Sequence, residues 1–203
     1  MSRRLRAIGF GEVWDEDAAK TALHRLADAA IPRGDQWVTT IAPGVDAILH
    51  VNEESDPTGL VVRLHGQRQP LLVEELETRI LDGFTSLDGC PITPIRARVQ
   101  GEVPEMERRS LWAVEYAGFC DSVEAIGDRP YGVEEEDGET RFSGVLLRTV
   151  EAVNPLTERR FALSSVWVPG AVIPFCSDQQ TLPPPGIEVS LTMDLFVEVF
   201  QRL

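Results

Sequence analysis

Lysine is all but missing from this 203-residue chain: Lys20 stands alone against 18 arginines. Cationic contacts are therefore made by planar guanidinium groups, which hold carboxylates and phosphates bidentately where an ammonium cannot. Positive charge is scarce altogether, since 33 acids against 19 bases leave a net charge of -14. Affinity for nucleic acid comes mostly from cations that neutralise phosphates, so this balance argues against a nucleic-acid partner. It also argues against adhesion to an anionic membrane surface, and it steers the protein toward basic partners.

Cysteine is sparse too. Cys90, Cys120 and Cys176 are widely separated, form no C-x-x-C pair and are odd in number. Free buried thiols in a reducing cytoplasm are the expectation, in place of a disulfide framework or a thiolate metal site. No stretch approaches the roughly 20 apolar residues that span a bilayer. The opening "MSRRLRAIGFGEVWDEDAA" has arginines but no apolar run, and Glu12, Asp15, Glu16 and Asp17 follow at once. No export signal is read there, and a soluble, cytoplasmic protein is expected.

Catalytic signatures are also lacking. "GFTSLDG" is not the G-x-S-x-G of a nucleophile elbow. "GFGEV" lacks the later glycine of a dinucleotide loop, and the acids after it would repel a phosphate. Glu53/Glu54 and Glu74/Glu75 are adjacent in sequence, whereas acid–base catalysis needs carboxylates facing across a cleft. No cofactor and no metal site is assigned.

What is present is the 43% hydrophobic, 26% charged composition of a globular protein. Residues 3–13 read as a strand. Residues 15–31 read as a helix with Asp15 as N-cap, a face of Ala19, Ala22, Leu23, Leu26, Ala27 and Ala30, and Pro32 as its stop. Residues 45–51 and 59–65 alternate as a hairpin in which Val51 faces Leu60, Leu49 faces Val62 and Ala47 faces Leu64. "PLLVEELETRILDG" (70–83) reads as a second helix with the stripe Leu72, Leu76, Ile80 and a terminal Gly83. After residue 90 the pattern is one of strands, ending in a long alternating run from Ile187 to Val199. Such a strand is expected to be paired, within the fold or with another chain.

The fold expected is α+β: an N-terminal ferredoxin-like α/β unit over 1–90, two helices on a sheet, then a mainly antiparallel β sandwich or partly open barrel over 91–203. The two are separate domains or one continuous domain.

Two features invite a functional reading. The acid run "GVEEEDGETR" (132–141) is contiguous where a calcium loop spaces its acids. It reads as a solvated hairpin tip turning at "DG". On the polar face of the 45–65 hairpin, the expected register puts Asp46 opposite His65, Ile48 opposite Arg63 and His50 opposite Val61. Asp46, His50, Arg63 and His65 then form a candidate binding face, in which a carboxylate orients an imidazole and a guanidinium holds an anion. The first functional expectation is a non-catalytic acidic interaction protein, an accessory, immunity-type or structural subunit. Its partner is another protein, basic in character, or a second copy of itself. The alternative is a small-molecule binding protein or enzyme using the hairpin face. A third reading is an acidic inhibitor that imitates nucleic acid.

Overall fold

The computed structural model describes residues 2–11, 15–34, 36–51, 57–126, 133–136, 139–179 and 181–203. These form thirteen strands, one helix of 14 residues and a short helical segment at the start.

Residues 3–13 depart from the expected strand. Ser2–Leu5 (α1) is a turn of helix, and Arg6–Phe10 continues it as a wider turn that unwinds at Ile8 and Gly9. Leu5 and Ile8, three residues apart, are both fully buried, and that spacing shares a face in a helix but not in a strand. The arginines around them reach acids of later strands. Arg3 pairs with Asp121 and, at 2.9 Å, with Asp194, while Arg6 lies 3.4 Å from Asp121.

Helix α2, Glu16–Ala29, forms where its pattern implies. The Asp15 carboxylate accepts the Ala18 N–H at 2.7 Å, satisfying one of the orphan donors of the first turn. Ala19, Ala22, Leu23 and Leu26 are buried against a four-stranded antiparallel sheet. Its strands, in order, are β1 (Ile31–Arg33), β2 (Gln36–Ala42), β3 (Val45–Val51) and β4 (Pro57–Leu64). Ala47 and Leu49 of β3 and Leu60, Val62 and Leu64 of β4 share a core with the helix.

The faces of this hairpin are as alternation implies, but its register is two residues away. Leu49 pairs with Leu60 and Ala47 with Val62. A slip of two keeps every side chain on its own face, so alternation cannot tell the two registers apart. Interruptions fix it: a bulge between His50 and Val51, and the Gly44 turn, whose carbonyl accepts the His65 N–H at 2.8 Å.

The largest correction concerns 70–83. These residues are a hairpin of β5 (Gln69–Glu77) and β6 (Ile80–Leu87), turning at Thr78 with φ 56. Leu72, Leu76 and Ile80, the supposed helical stripe, are only partly buried, whereas Leu71, Val73 and Leu81 are buried at strand spacing. A period of two wins because the hairpin closes a barrel. With one helix on the first sheet and this hairpin in the second, no ferredoxin-like two-helix unit exists and the α+β reading is overturned. The protein is mostly β.

The second sheet adds β7 (Cys90–Gln100), β8 (Leu111–Ala125), β9 (Val133–Glu136), β10 (Glu139–Val153), β11 (Arg160–Val168), β12 (Ala171–Ser177) and β13 (Glu188–Arg202). Its spine is the antiparallel pair β8–β13, running from Val189↔Ala125 to Arg202↔Trp112 with register shifts at Thr192/Met193 and Val199/Gln201. The other edge of β8 is shared by β5 at one end and β12 at the other, and the other edge of β13 by β7 and β10. Two circuits of five strands therefore close on one ribbon: β8-β5-β6-β7-β13 and β8-β12-β11-β10-β13.

Val114, Tyr116 and Cys120 of β8 face a common interior of the two barrels, while Ala117 and Phe119 face α1, α2 and the first sheet. The barrels are stitched together beside the ribbon. The Gln69 amide pairs with both the N–H and the carbonyl of Val172, each at 2.6 Å. The Thr85 and Thr93 hydroxyls both donate to Pro169 O at 2.7 Å. The long C-terminal strand is thus hydrogen-bonded along both edges within this chain.

Candidate functional site

The four residues of the candidate face separate into three settings. Asp46 and His65 are together: Nε2 lies 2.8 Å from Oδ2, and the Thr40 hydroxyl donates to the other carboxylate oxygen at 2.7 Å. The pair is diagonal, since Asp46 faces Arg63 across the strands and His65 follows Leu64 toward the Gly44 turn. Partial burial pushes the Asp46 carboxyl up. The hydrogen bonds from His65 and Thr40, with the charges of His65 and Arg33, outweigh burial and hold it below its ordinary value.

Arg63 is committed elsewhere. Its Nε and Nη2 grip the Glu198 carboxylate at 2.7 and 2.5 Å, tying β4 to β13. His50 lies opposite Gly59, four residues along β3 from Asp46 and so about 13 Å away in an extended strand. One surface therefore holds the Asp–His pair, and His50 does not join it. Among the described residues no three His, Cys, Asp or Glu side chains converge as a metal site.

His65 stands on the rim of a cleft of about 730 Å³ between the first sheet and the β10–β11–β12 side of the second barrel. Its floor is apolar, with Ile41, Leu64, Val150, Leu163 and Pro174. The polar groups on its walls are His65, Arg148, Glu151, Ser164 and Ser165. Arg148 is exposed and holds no acid among the described residues. Sequence reading missed it. The signal was the break in alternation at "VLLRTV", where the register of β10 on β11 shifts between Leu146 and Arg148. A bulge re-aims side chains, here sending Arg148 to the cleft.

The other features that drew notice do not line this cleft. In the acid run, β9 pairs with β10 so that Glu136 faces Glu139. The predicted tip, Asp137 and Gly138, lies outside the described residues. Arg96 faces Asp82 at 3.8 Å, one of the chain's own acids. Cys120 and Cys176 are buried and Cys90 is exposed. Burial pushes the Cys120 thiol up to about 12, and that of Cys176 further still.

No helix among the described residues is long and apolar enough to cross a membrane. Compared with family models, with curated proteins and with solved structures, the chain matches none.

Proposed function

We propose that the protein binds a small molecule with an apolar body and an acidic head in the cleft beside His65. The observation that carries this reading is the position of the Asp46–His65 pair on the rim of a concave, apolar-floored space of about 730 Å³. Ligand sites combine such a volume with a few convergent polar groups. Asp46 fixes the imidazole ring, Arg148 offers a guanidinium that holds no acid among the described residues, and Leu64, Val150 and Leu163 take the apolar part.

The test is a titration with 8-anilinonaphthalene-1-sulfonate, whose fused rings and sulfonate match that chemistry. Saturable one-to-one fluorescence is expected, weakened about tenfold by R148A or V150D, the worth of one charge-assisted contact or one apolar wall. Affinity unchanged in both variants would remove the reading.

A second reading, an interaction protein, has its own support. Glu188, Val145, Trp167 and Val172 face one another in a row across β13, β10, β11 and β12. Trp167 is 40% exposed, with Leu147 beside the row at 45%. An exposed tryptophan amid aliphatics is the composition of an interface anchor, and the net charge of -14 favours a basic partner. Strand addition to β13 no longer motivates it, because both edges already carry partner strands. A pull-down from native lysate at low and high salt tests it: a near-stoichiometric protein lost in W167A supports the reading, and equal recovery with W167A counts against it.

A further inference from the structure

We propose that a second cleft, on the far side of Glu151, is a site for a compact oxyanion, a carboxylate or phosphate carried by a small molecule. It encloses about 880 Å³ between Gly9 and Gly11 of the N-terminal segment, the corner leading into β11, and the residues that follow β12. Three arginines from separate elements line it: Arg6, Arg159 and Arg160. Arg6 is held near Asp121 and Arg160 is held by Glu151 at 3.2 Å. Arg159 is different. Among the described residues its guanidinium has no carboxylate partner, in a chain of net charge -14 and with Asp178 lining the same cleft.

The backbone corner that carries Arg159 is built. Gly11 has φ +71, and a side-chain carbon on it would fall 2.5 Å from the Arg159 Cζ. With no side chain at Gly11 the guanidinium lies against the backbone there, and a larger residue would push this flexible end aside. The corner bearing Arg159 is locked to the N-terminal segment by the fully buried Asn154. The Asn154 Nδ2 donates to Ile8 O at 2.8 Å, its Oδ1 accepts the Leu156 N–H at 2.8 Å, and the Thr157 hydroxyl donates to Gly9 O at 2.7 Å. The opposite wall is fixed in the same manner. The Gln179 amide accepts the Val123 N–H at 2.9 Å and donates to Val123 O and Thr181 O at 3.2 and 2.9 Å.

Fixed walls lower the ordering cost of binding, and a guanidinium fork that holds no acid among the described residues is the group that recognises an oxyanion bidentately. The carboxylates of Glu151 and Asp178 in the same cleft disfavour a second anionic group. They accept hydroxyl or ammonium protons instead, so the ligand is compact and carries one oxyanion beside donors.

The test is a titration of the full chain with inorganic phosphate and, separately, with acetate, followed by amide NMR. Saturable shifts are expected at Gly11, Arg159 and Arg160, in the millimolar range of a single bidentate contact. Affinity should fall about tenfold in R159Q, less in R159K, and remain unchanged in R148Q, whose side chain belongs to the other cleft. The spectrum of each variant reports its own folding. A response to phosphate alone assigns a phosphoryl ligand, and one to acetate alone assigns a carboxylate. Shifts absent with both anions, or equal affinity in R159Q, would overturn the proposal and leave the His65 cleft untouched.

Discussion

Arg63 holds Glu198 through both carboxylate oxygens, at 2.7 and 2.5 Å, and this pair is a side-chain clamp between β4 and β13. Both side chains are partly buried, at 35% and 22% exposure. Truncating one leaves the other charge half-desolvated. R63A or E198A is expected to cost about 1–3 kcal/mol each, with the double variant no worse than either single one. Urea unfolding of the three variants reads the coupling directly, and additive losses would show that the clamp carries no pairwise energy.

The Asp46 carboxyl is held below its ordinary value, so the folded state takes up its proton less readily than the unfolded chain does. Its contribution is complete above the unfolded value of about 3.9 and fades as pH falls through the lower folded value. The difference in melting temperature between wild type and D46N should therefore be constant from about pH 5 to 6 and shrink below about pH 4. A gap independent of pH would mean that the pair does not discriminate charge.

Thiol accessibility separates the cysteines. Cys90 is exposed, whereas Cys120 and Cys176 are buried, Cys120 with its thiol pushed up to about 12. Reaction with a chromogenic disulfide at pH 8 should titrate one group in the native protein and three after unfolding. C90S should abolish the fast native phase.

Gly118 marks a tight point of the second barrel. A methyl there would come within 2.7 Å of the Met193 sulfur and 2.9 Å of the Phe175 Cβ. G118A is expected to destabilise by about 1–3 kcal/mol through overpacking. Part of that should return in G118A/M193A, because removing the thioether makes room, although M193A alone leaves a void. Chemical denaturation of the three proteins checks the sign of the coupling.

Legibility in the sequence followed how local each determinant is. Helix α2 was readable because Asp15, the buried alanines and leucines, and Pro32 lie within one stretch and point the same way. Residues 70–83 were misread because Leu72, Leu76 and Ile80 fit a helix, while the β8 partners that draw the stretch into the sheet, Leu111 to Val114, are remote in sequence. The hairpin register escaped for a different reason: a two-residue slip leaves the pattern of faces unchanged. For the candidate face, Asp46 and His65 were found together although the register was wrong, because a diagonal contact is also within reach of long side chains. The Arg63–Glu198 pair spans 135 positions, and nothing local announces it.

The shared ribbon has a consequence in time. Residues 188–202 are synthesised after every strand they pair with, yet both barrels lack a wall until they arrive. Neither circuit can close early and act as a template for the other. The chain must hold β5 to β12 unsealed, then complete two cores with one strand, so its slow folding step is expected to be a late, long-range event shared by both. A stall or truncation before residue 188 would release two open sheets at once, the species that chaperones are built to hold.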